Sequence, residues 1–338
     1  MTDQQYRNAA HSLCQKISKD RLIIQGAGGN VSWKTETHLW IKLSGTWIED
    51  AQNKDIFGSI PLDKLNELIK QQKFIVDPAM MDQDNVRPSI EVMLHAIINK
   101  RYVFHLHMVE VVAALINQSE QLLVSLTKHG LNAKIIPYSK PGEELAEEVF
   151  QSMNHHPDCN LLCLENHGVV VFSDDIREIE SHIALLQKLC NKEVFHINGS
   201  SNKNVPQVIE NTEYKLLDNL QMNSLVFSDE IFEQLLHLWP ICPDHIVFLG
   251  PRPNLYDNFN DALDSVNSTF QSPLIFIKNT GIYIHKDIFS KIHMIQLQCF
   301  ADIILRLDRY EGISVIPKNE IKKLLNWDAE KYRQMMNQ

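Results

Sequence analysis

The sequence lacks the features that mark several large classes of protein. Its six cysteines form no CxxC pair or other paired spacing, which excludes a zinc ribbon or a disulfide scaffold and predicts reduced, mostly buried thiols. No apolar stretch approaches the roughly 20 residues that span a bilayer. The polar start, Met1-Thr2-Asp3-Gln4-Gln5, contains no apolar secretory segment. We therefore expect a cytoplasmic protein without a membrane partner.

Positive charge is also in short supply. The chain of 338 residues contains 32 lysines and arginines against 42 aspartates and glutamates, a formal net charge of −10. Nucleic acids and anionic membranes are bound by clustered positive charge, and basic runs such as Lys322-Lys323 are too short to provide it. We expect no nucleic-acid partner.

What the sequence does contain is typical of a folded globular protein. Hydrophobic residues make up 44% and charged residues 22%, and the length favours about two domains. Predicted strands and helices follow one another without a strict βαβ period, which favours an α+β layered fold. The polar segment 198–211 is the clearest linker. We predict a catalytic domain at 1–205 and an accessory domain at 206–338.

Two segments of the chain resemble each other at a constant offset of 113 residues. Residues 160–174 and 273–287 each predict a strand, an Asn-x-Gly turn and a second strand, followed by a long helix. The identical pairs are Leu161/Leu274, Asn166/Asn279, Gly168/Gly281, Asp174/Asp287 and Ile179/Ile292. His167 of the first segment is replaced by Thr280. The hypothesis is that the second region is a degenerate half-copy without metal or catalytic function; the alternative is a chance likeness of two buried hairpins.

Three histidines form a candidate metal site. In the predicted strand 102–108, His105 and His107 are two residues apart, so they project from the same face. Paired imidazoles suit a metal better than an apolar core. His167 lies in a turn between two apolar strands, where a third ligand could converge. Its alternative interpretation is a histidine that caps the hairpin.

A carboxylate and several small polar residues accompany the histidines. Glu91 is expected in the first turn of a helix predicted over 90–99, with Ser89 as its N-cap, where the helix dipole favours a carboxylate. Beside a metal it becomes a candidate proton-transferring base. The turns 28–30 and 44–45 and the helix start at Ser89 could present backbone N–H groups to a phosphate. Neither GxxxxGK[ST] nor GxGxxG is present.

Taken in order, these segments resemble the class II aldolase/adducin family. The similarity covers roughly residues 5–200, and a C-terminal segment, 324–333, looks like the tail of long-form members. The most similar type is the aldolase part of rhamnulose-phosphate aldolase/dehydrogenase fusions, without the Gly-rich fingerprint of a dehydrogenase. The matching blocks are GAGGNVS (26–32), IKLSGT (41–46), RPSIEVMLH (87–95), FHLH (104–107), PYSKPG (137–142) and LENHGV (164–169).

The resemblance implies a three-layer α/β/α fold, with a central, mainly antiparallel mixed sheet flanked by helices. It also implies a divalent metal, typically zinc, with ligands His105, His107 and His167, and an acid/base role for Glu91. The positions that match the family's phosphate cradle are Gly29, Asn30, Ser44, Gly45 and Ser89. There are two departures: Ile90 replaces a serine of the cradle, and Lys140 stands where decarboxylating relatives often have arginine. Lys140 could hold a phosphate or a carboxylate.

The leading hypothesis for function is a metal-dependent lyase that cleaves or forms a C–C bond in a phosphorylated ketose through a metal-stabilised enediolate. Decarboxylation of a 3-oxo sugar-acid phosphate uses the same stabilisation and remains an alternative, as do epimerases and dehydratases. A non-catalytic scaffold, as in adducin, is the alternative of another class. We expect a small phosphorylated sugar as substrate and a homo-oligomeric assembly.

Overall fold

The larger of two sheets forms the centre of the fold. The computed structural model describes residues 2–194, 205–209, 212–266 and 272–337. The sheet has the order β3-β2-β1-β4-β7-β6-β5, and its neighbours are antiparallel except for the parallel pair β5 and β6. Its strands are β1 (Asn30–Lys34), β2 (His38–Lys42), β3 (Phe57–Pro61), β4 (Tyr102–Leu106), β5 (Ala133–Ile136), β6 (Leu161–Leu164) and β7 (Gly168–Ser173).

Helices cover both faces of this sheet. The alternation along β4 explains why, because Phe104 and Leu106 face one apolar core while Val103 faces another. Helices α1, α4 and α6 pack on the first face, and α2, α3 and α5 on the second. This arrangement confirms the expected α/β/α layers. The helices are α1 (Asp3–Ile17), α2 (Leu62–Lys70), α3 (Val92–Ile97), α4 (Val109–Lys128), α5 (Glu143–His155) and α6 (Ile176–Cys190).

A second, four-stranded sheet lies in the C-terminal region, in the order β8-β11-β10-β9. Its strands are β8 (Tyr214–Leu216), β9 (Leu255–Tyr256), β10 (Leu274–Ile277) and β11 (Gly281–His285). Its helices are α7 (Leu220–Phe227), α8 (Asp229–Gln234), α9 (Phe259–Val266), α10 (Lys291–Ile304), α11 (Lys318–Leu325) and α12 (Asp328–Met336). The order and strand directions repeat those of β4-β7-β6-β5, including the parallel pair at one edge. The topology therefore agrees with the half-copy hypothesis.

Helix α4 joins the two regions. Val111 and Leu115 belong to the core of the central sheet, whereas Val109, Val112 and Ala113 belong to the core of the C-terminal region. The helix is thus buried on two sides. The predicted linker 198–211 lies mostly outside the described residues, so the boundary between 205 and 206 stays a prediction.

One predicted helix begins later than expected. Helix α3 starts at Val92 rather than at residue 90, because the N–H of Val92 donates to the Ser89 carbonyl and closes a turn instead. Glu91 is therefore the N-cap residue, and its side chain makes no capping hydrogen bond. At the other end of α3, Lys34 Nζ donates to the carbonyls of His95 and Ile98 at 2.7 and 2.6 Å.

In the described part of the chain, the search for a helix both long and apolar enough to cross a membrane finds none.

Candidate active site

Three buried imidazoles meet at the end of strand β4. His105 Nε2 lies 3.1 Å from His107 Nε2 and 3.3 Å from His167 Nε2. His105 lies within β4, His107 just beyond its end, and His167 in the turn between β6 and β7. Antiparallel pairing of β4 with β7 brings that turn beside β4, so residues 62 positions apart become neighbours. The structure thus brings the three predicted ligands together.

The hydrogen bonds of the ring nitrogens show which nitrogen of each imidazole carries the proton. His105 Nδ1 lies 3.3 Å from the carbonyl oxygen of Val169, which can only accept, so this nitrogen carries the proton. His107 Nε2 accepts from the N–H of Gly29 at 3.3 Å, and its Nδ1 lies 3.5 Å from Asp244 Oδ2. The Nε2 atoms of both residues are therefore unprotonated; that of His105 is free to face the cluster, whereas that of His107 would exchange the Gly29 N–H for a bound cation.

This donor set fits a divalent metal ion. Two nitrogens that bind one tetrahedral zinc at about 2.0–2.1 Å are separated by about 3.3 Å, and the Nε2 separations in the cluster are 3.1 and 3.3 Å. All three candidate ligand atoms lie within 4.8 Å of one another. Unprotonated nitrogens that face each other repel, and a cation between them removes that repulsion. The carboxylate of Asp244 behind His107 is the kind of partner that orients metal-binding histidines.

A chain of hydrogen bonds holds Glu91 beside the cluster. Asn30 Nδ2 donates to Glu91 Oε2 at 2.7 Å, and the Asn30 carbonyl oxygen accepts from His95 Nε2. His95 Nδ1 therefore accepts from the Ser32 hydroxyl, at 2.7 Å. Glu91 Oε2 lies 3.5 Å from His105 Nε2. The second oxygen, Oε1, lies 3.6 Å from His167 Nε2 and has no hydrogen-bond partner in the described residues.

Burial and mutual attraction set the charges of these groups. Burial lowers the pKa of His105 to about 4 and that of His167 to about 3. Burial alone would raise the pKa of Glu91, but the attraction of His105 and His167 and the hydrogen bond from Asn30 outweigh it and lower the pKa to about 2. At neutral pH the site therefore combines neutral imidazoles, ready to bind a cation, with an ionised carboxylate.

The C-terminal region closes this site. A cavity of about 20 Å³ adjoins the cluster, enough for one or two water molecules. Asp244 and Arg333 form part of its wall, and Arg333 Nη2 donates to Asp244 Oδ1 at 2.7 Å. Burial opposes ionisation of Asp244, but Arg333 outweighs it and holds the pKa of that carboxyl well below its usual range. Other residues of the wall are Ala27, Gly29, Asn30, Lys42, Ser44, Gly45, Ser89, Ile90, Glu91, His107, Pro141, His167 and Pro243.

The five residues predicted to bind phosphate all line this cavity: Gly29, Asn30, Ser44, Gly45 and Ser89. Their binding role stays a prediction. The side chain of Asn30 is engaged with Glu91 and His95. The backbone N–H of Ser44 donates to the Arg87 carbonyl at 2.9 Å, and that of Ser89 to the Lys42 carbonyl at 3.0 Å. The serine hydroxyls, rather than these N–H groups, are thus the free donors.

Lys140 lies in an adjoining cavity rather than beside the histidines. That cavity shares Ser44 and Ser89 with the first one and is also lined by Trp327. The ammonium of Lys140 lies 4.8 Å from the centre of the Trp327 ring and 3.6 Å from Glu144 Oε1.

Sequence reasoning missed three charged residues of the site. Lys42 stood within a matching block, directly before Leu43 and Ser44, so the block itself was a signal. Its ammonium is buried and donates to the Thr46 carbonyl at 2.6 Å. Asp244 gave no signal, since its contact with Arg333 joins residues 89 positions apart; Arg333 ends the segment 324–333 that resembles the tail of long-form members, but that segment did not indicate a role in the site.

Comparisons with known proteins find distant relatives of this chain. It is 24% identical over 277 residues to the uncharacterised oxidoreductase YuxG of Bacillus subtilis (strain 168); the match covers 77% of this chain and 37% of YuxG. The chain thus spans about a third of that relative's length. Among solved structures, the N-terminal class II aldolase domain of a conserved Thermoplasma acidophilum protein is 25% identical, with a TM-score of 0.46, covering 53% of this chain and 89% of that one. L-fuculose-1-phosphate aldolase from Thermus thermophilus is 16% identical, with a TM-score of 0.37, covering 54% and 93%.

The residues that match a known family include most of the candidate site. The sequence profile described as the Class II Aldolase and Adducin N-terminal domain matches residues 10–194, which include the three histidines and Glu91. Since this match extends over more than half of the 338 residues, the chain belongs to the class II aldolase and adducin family.

Proposed function

We propose that the protein is a metal-dependent lyase that cleaves or forms a C–C bond in a phosphorylated ketose, with zinc as its ion. Family membership supports an enzyme of the aldolase, epimerase or decarboxylase type. The observation that carries the proposal is the position of Glu91: its unpartnered Oε1 lies 3.6 Å from one of three converging imidazole nitrogens. Ligands for a cation and a group for proton transfer thus meet at one point.

His105, His107 and His167 would hold the ion. A divalent cation there supplies Lewis acidity, which stabilises negative charge on the oxygens of a bound ketose. The protein's own contribution is orientation and proton transfer. Asn30 fixes one oxygen of Glu91, and the free oxygen is placed to accept a proton from a substrate hydroxyl.

In the cleavage direction, Glu91 takes the proton of the hydroxyl on the carbon beyond the scissile bond. That oxygen forms an aldehyde carbonyl as the C–C bond breaks. The electron pair of the broken bond stays on the ketose fragment and spreads onto its oxygens. The carboxylic acid of Glu91 then returns a proton to the carbon. The lowered pKa of Glu91 keeps its carboxylate ready to accept the first proton.

The expected test uses dihydroxyacetone phosphate in deuterated water, with the zinc-loaded protein and an EDTA-treated control, followed by NMR. Zinc-dependent exchange at the hydroxymethyl carbon is expected. His107→Ala should lose bound zinc and exchange together, whereas Glu91→Gln should retain zinc and lose exchange by at least about 100-fold. His156→Ala, on the exposed surface, is the matched control and should behave as the native chain.

Each of three results would overturn this proposal. Bound zinc without any exchange would favour a phosphorylated sugar acid as substrate and decarboxylation as reaction. No bound metal and no exchange in the native chain would favour the non-catalytic scaffold, whereas unchanged exchange in His107→Ala would contradict the assignment of this histidine as a ligand of the catalytic metal. We further propose a cytoplasmic location and a homo-oligomeric assembly; gel filtration coupled to light scattering would test the assembly.

A further inference from the structure

The cavity beside the histidines is well supplied with polar donors but has few cations. Ser44 and Ser89 offer hydroxyls, and Gly45 offers a backbone turn. Neutral donors alone compensate poorly for an anion that leaves water for a closed cavity. Among the described residues, two cationic side chains, Lys42 and Arg333, line this wall. These two side chains differ in how well they are placed to bind an anion.

Lys42 is already engaged by the protein. Its ammonium donates to the carbonyl of Thr46 at 2.6 Å and to that of Ala27 at 3.4 Å, and burial lowers its pKa to about 7. Arg333 is also paired within the protein, but its partners are carboxylates rather than backbone carbonyls. A guanidinium stays charged at all physiological pH values and offers five N–H groups in a planar fork.

Two buried acids hold Arg333 in place. Its Nη1 lies 3.0 Å from both oxygens of Glu330, its Nη2 is bound to Asp244, and its Nε–H makes no hydrogen bond with any described residue. The side chain is 9% exposed. A charged group held by neighbouring acids and directed at a polar wall is pre-oriented for an anionic ligand.

We propose that Arg333, carried by helix α12, binds the anionic group of the substrate, and that α12 moves aside to admit it. The substrate class rests on the proposed function, while the binding of an anion by Arg333 does not. A cavity of about 20 Å³ has no room for a phosphate beside a sugar, so part of its wall has to shift on binding, and α12 forms one side of that wall through Arg333.

The contacts of α12 suit such a displacement, because they are mainly polar. The buried residues of the helix are Glu330 and Arg333. Arg87 lies 4.5 Å from the centre of the Tyr332 ring, and Asn337, just after the helix, donates to the Gly45 carbonyl at 3.4 Å. Partly exposed polar contacts such as these can be exchanged for water at modest cost. The buried pair of Arg333 with Glu330 lies within α12 and moves with it, so the pair with Asp244 is the buried contact that a displacement would break.

The test measures binding of inorganic phosphate to the zinc-loaded full-length chain by isothermal titration calorimetry. Arg333→Gln is expected to weaken phosphate binding at least about 10-fold, and Arg333→Lys to weaken it less, since the charge remains but the fork is lost. Lys331→Gln removes one positive charge from the exposed side of the same helix and should bind as the native chain does. Zinc content should be the same in all four proteins.

A second measurement covers the case in which Arg333→Gln fails to fold. The double variant Arg333→Gln/Glu330→Gln keeps the net charge and avoids one unpaired buried acid; it should lose phosphate binding to the same extent. In the native chain, hydrogen exchange of the amides at 328–337 should slow on addition of phosphate. Arg333→Lys should show a smaller change.

The outcomes separate this inference from the lyase proposal. Arg333-dependent phosphate binding without deuterium exchange into dihydroxyacetone phosphate would support the inference and contradict the lyase. Native phosphate affinity in the Arg333 variants would overturn the inference, whatever the chemistry. Tighter phosphate binding in Arg333→Gln would also overturn it, because α12 would then block the anion site rather than complete it.

Discussion

Two hairpins of this protein share a backbone design but differ in chemistry. Strands β6 and β7 are joined by residues 165–167, and strands β10 and β11 by residues 278–280. Asn166 and Asn279 occupy the same place in the two turns, each with a φ of 53°. The next residue is His167 in the first turn and Thr280 in the second. His167 joins the imidazole cluster, whereas the Thr280 hydroxyl donates to the Lys278 carbonyl within its own turn.

The surroundings of the two turns differ as well. In the second sheet, Asn223 of α7 donates to the Leu217 carbonyl at 2.7 Å and accepts from the Ile282 N–H at 2.7 Å. These bonds fill the end of the sheet that corresponds to the histidine site. The framework of strands and turns therefore does not depend on the histidines, since the C-terminal hairpin keeps the same geometry with packed side chains at the corresponding place.

The largest expected effect comes from removing the C-terminal region. A chain truncated after residue 194 would expose Val109 and Val112 of α4, each worth about 1.5–3 kcal/mol when buried. It would also lose Asp244 and Arg333 from the site. We expect insoluble protein or a lowered urea midpoint. A soluble fragment with the unfolding midpoint and zinc affinity of the full chain would show that the regions are independent.

Exchanging the turn residues tests the comparison directly. His167→Thr gives the first turn the residue of the second, and it should weaken zinc binding by more than the roughly 10–100-fold that loss of a ligand's outer partner costs. The reciprocal variant, Thr280→His, should keep native zinc content because no second histidine lies in β8. Zinc affinity measured by competition with a chelator checks both. Additional zinc in Thr280→His would contradict the interpretation.

The pH dependence of stability should reflect the buried histidines, which include His105 and His167 of the cluster and His245 of the C-terminal region, whose pKa burial also lowers to about 3. The folded pKa values of His105 and His167 are lowered to about 4 and 3, so the unfolded chain binds more protons below its own pKa of about 6.5. The free energy of unfolding of EDTA-treated protein should therefore fall as pH drops from 7.5 to 5.5, by about 1 kcal/mol for each such histidine. His167→Thr should show a smaller fall in urea titrations. An equal fall in the free energy of unfolding would contradict the assignment of part of this pH dependence to His167.

The most local effect concerns the asparagines of the turns. Alanine at Asn279 should cost about 1 kcal/mol, because its left-handed backbone disfavours side chains other than asparagine and glycine. Alanine at Asn166 should cost about 1 kcal/mol more, since Asn166 Nδ2 also donates to the Ser314 carbonyl at 2.9 Å. Urea denaturation measures both, with Asn279→Gly as a near-neutral control. An equal loss of unfolding free energy at the two positions would show that the hydrogen bond to Ser314 does not contribute to stability.

The sequence predicted the local parts of the site and missed its long-range parts. Side chains two residues apart on a strand share a face, so His105 and His107 could be paired in advance, and the Asn-x-Gly turn located His167. The start of α3 was wrong by two residues, because a turn at Ser89 competes with helical hydrogen bonds. Arg333 ends the tail-like segment 324–333, but its place in the site could not be predicted, because its contact with Asp244 depends on the packing of the whole C-terminal region.

Helix α4 has an evolutionary consequence. Val111 packs in the core of the central sheet and Val109 and Val112 in that of the C-terminal region, so a substitution that shifts the helix disturbs both cores. The C-terminal hairpin keeps its fold with Thr280 at the place of His167, yet exchanging or shortening this region would reshape the helix beside the histidine cluster. We therefore expect the substitutions accepted in the two halves of this protein to be correlated. Those in the first half are limited by the histidine site, and those in the second by the volume available for packing against α4.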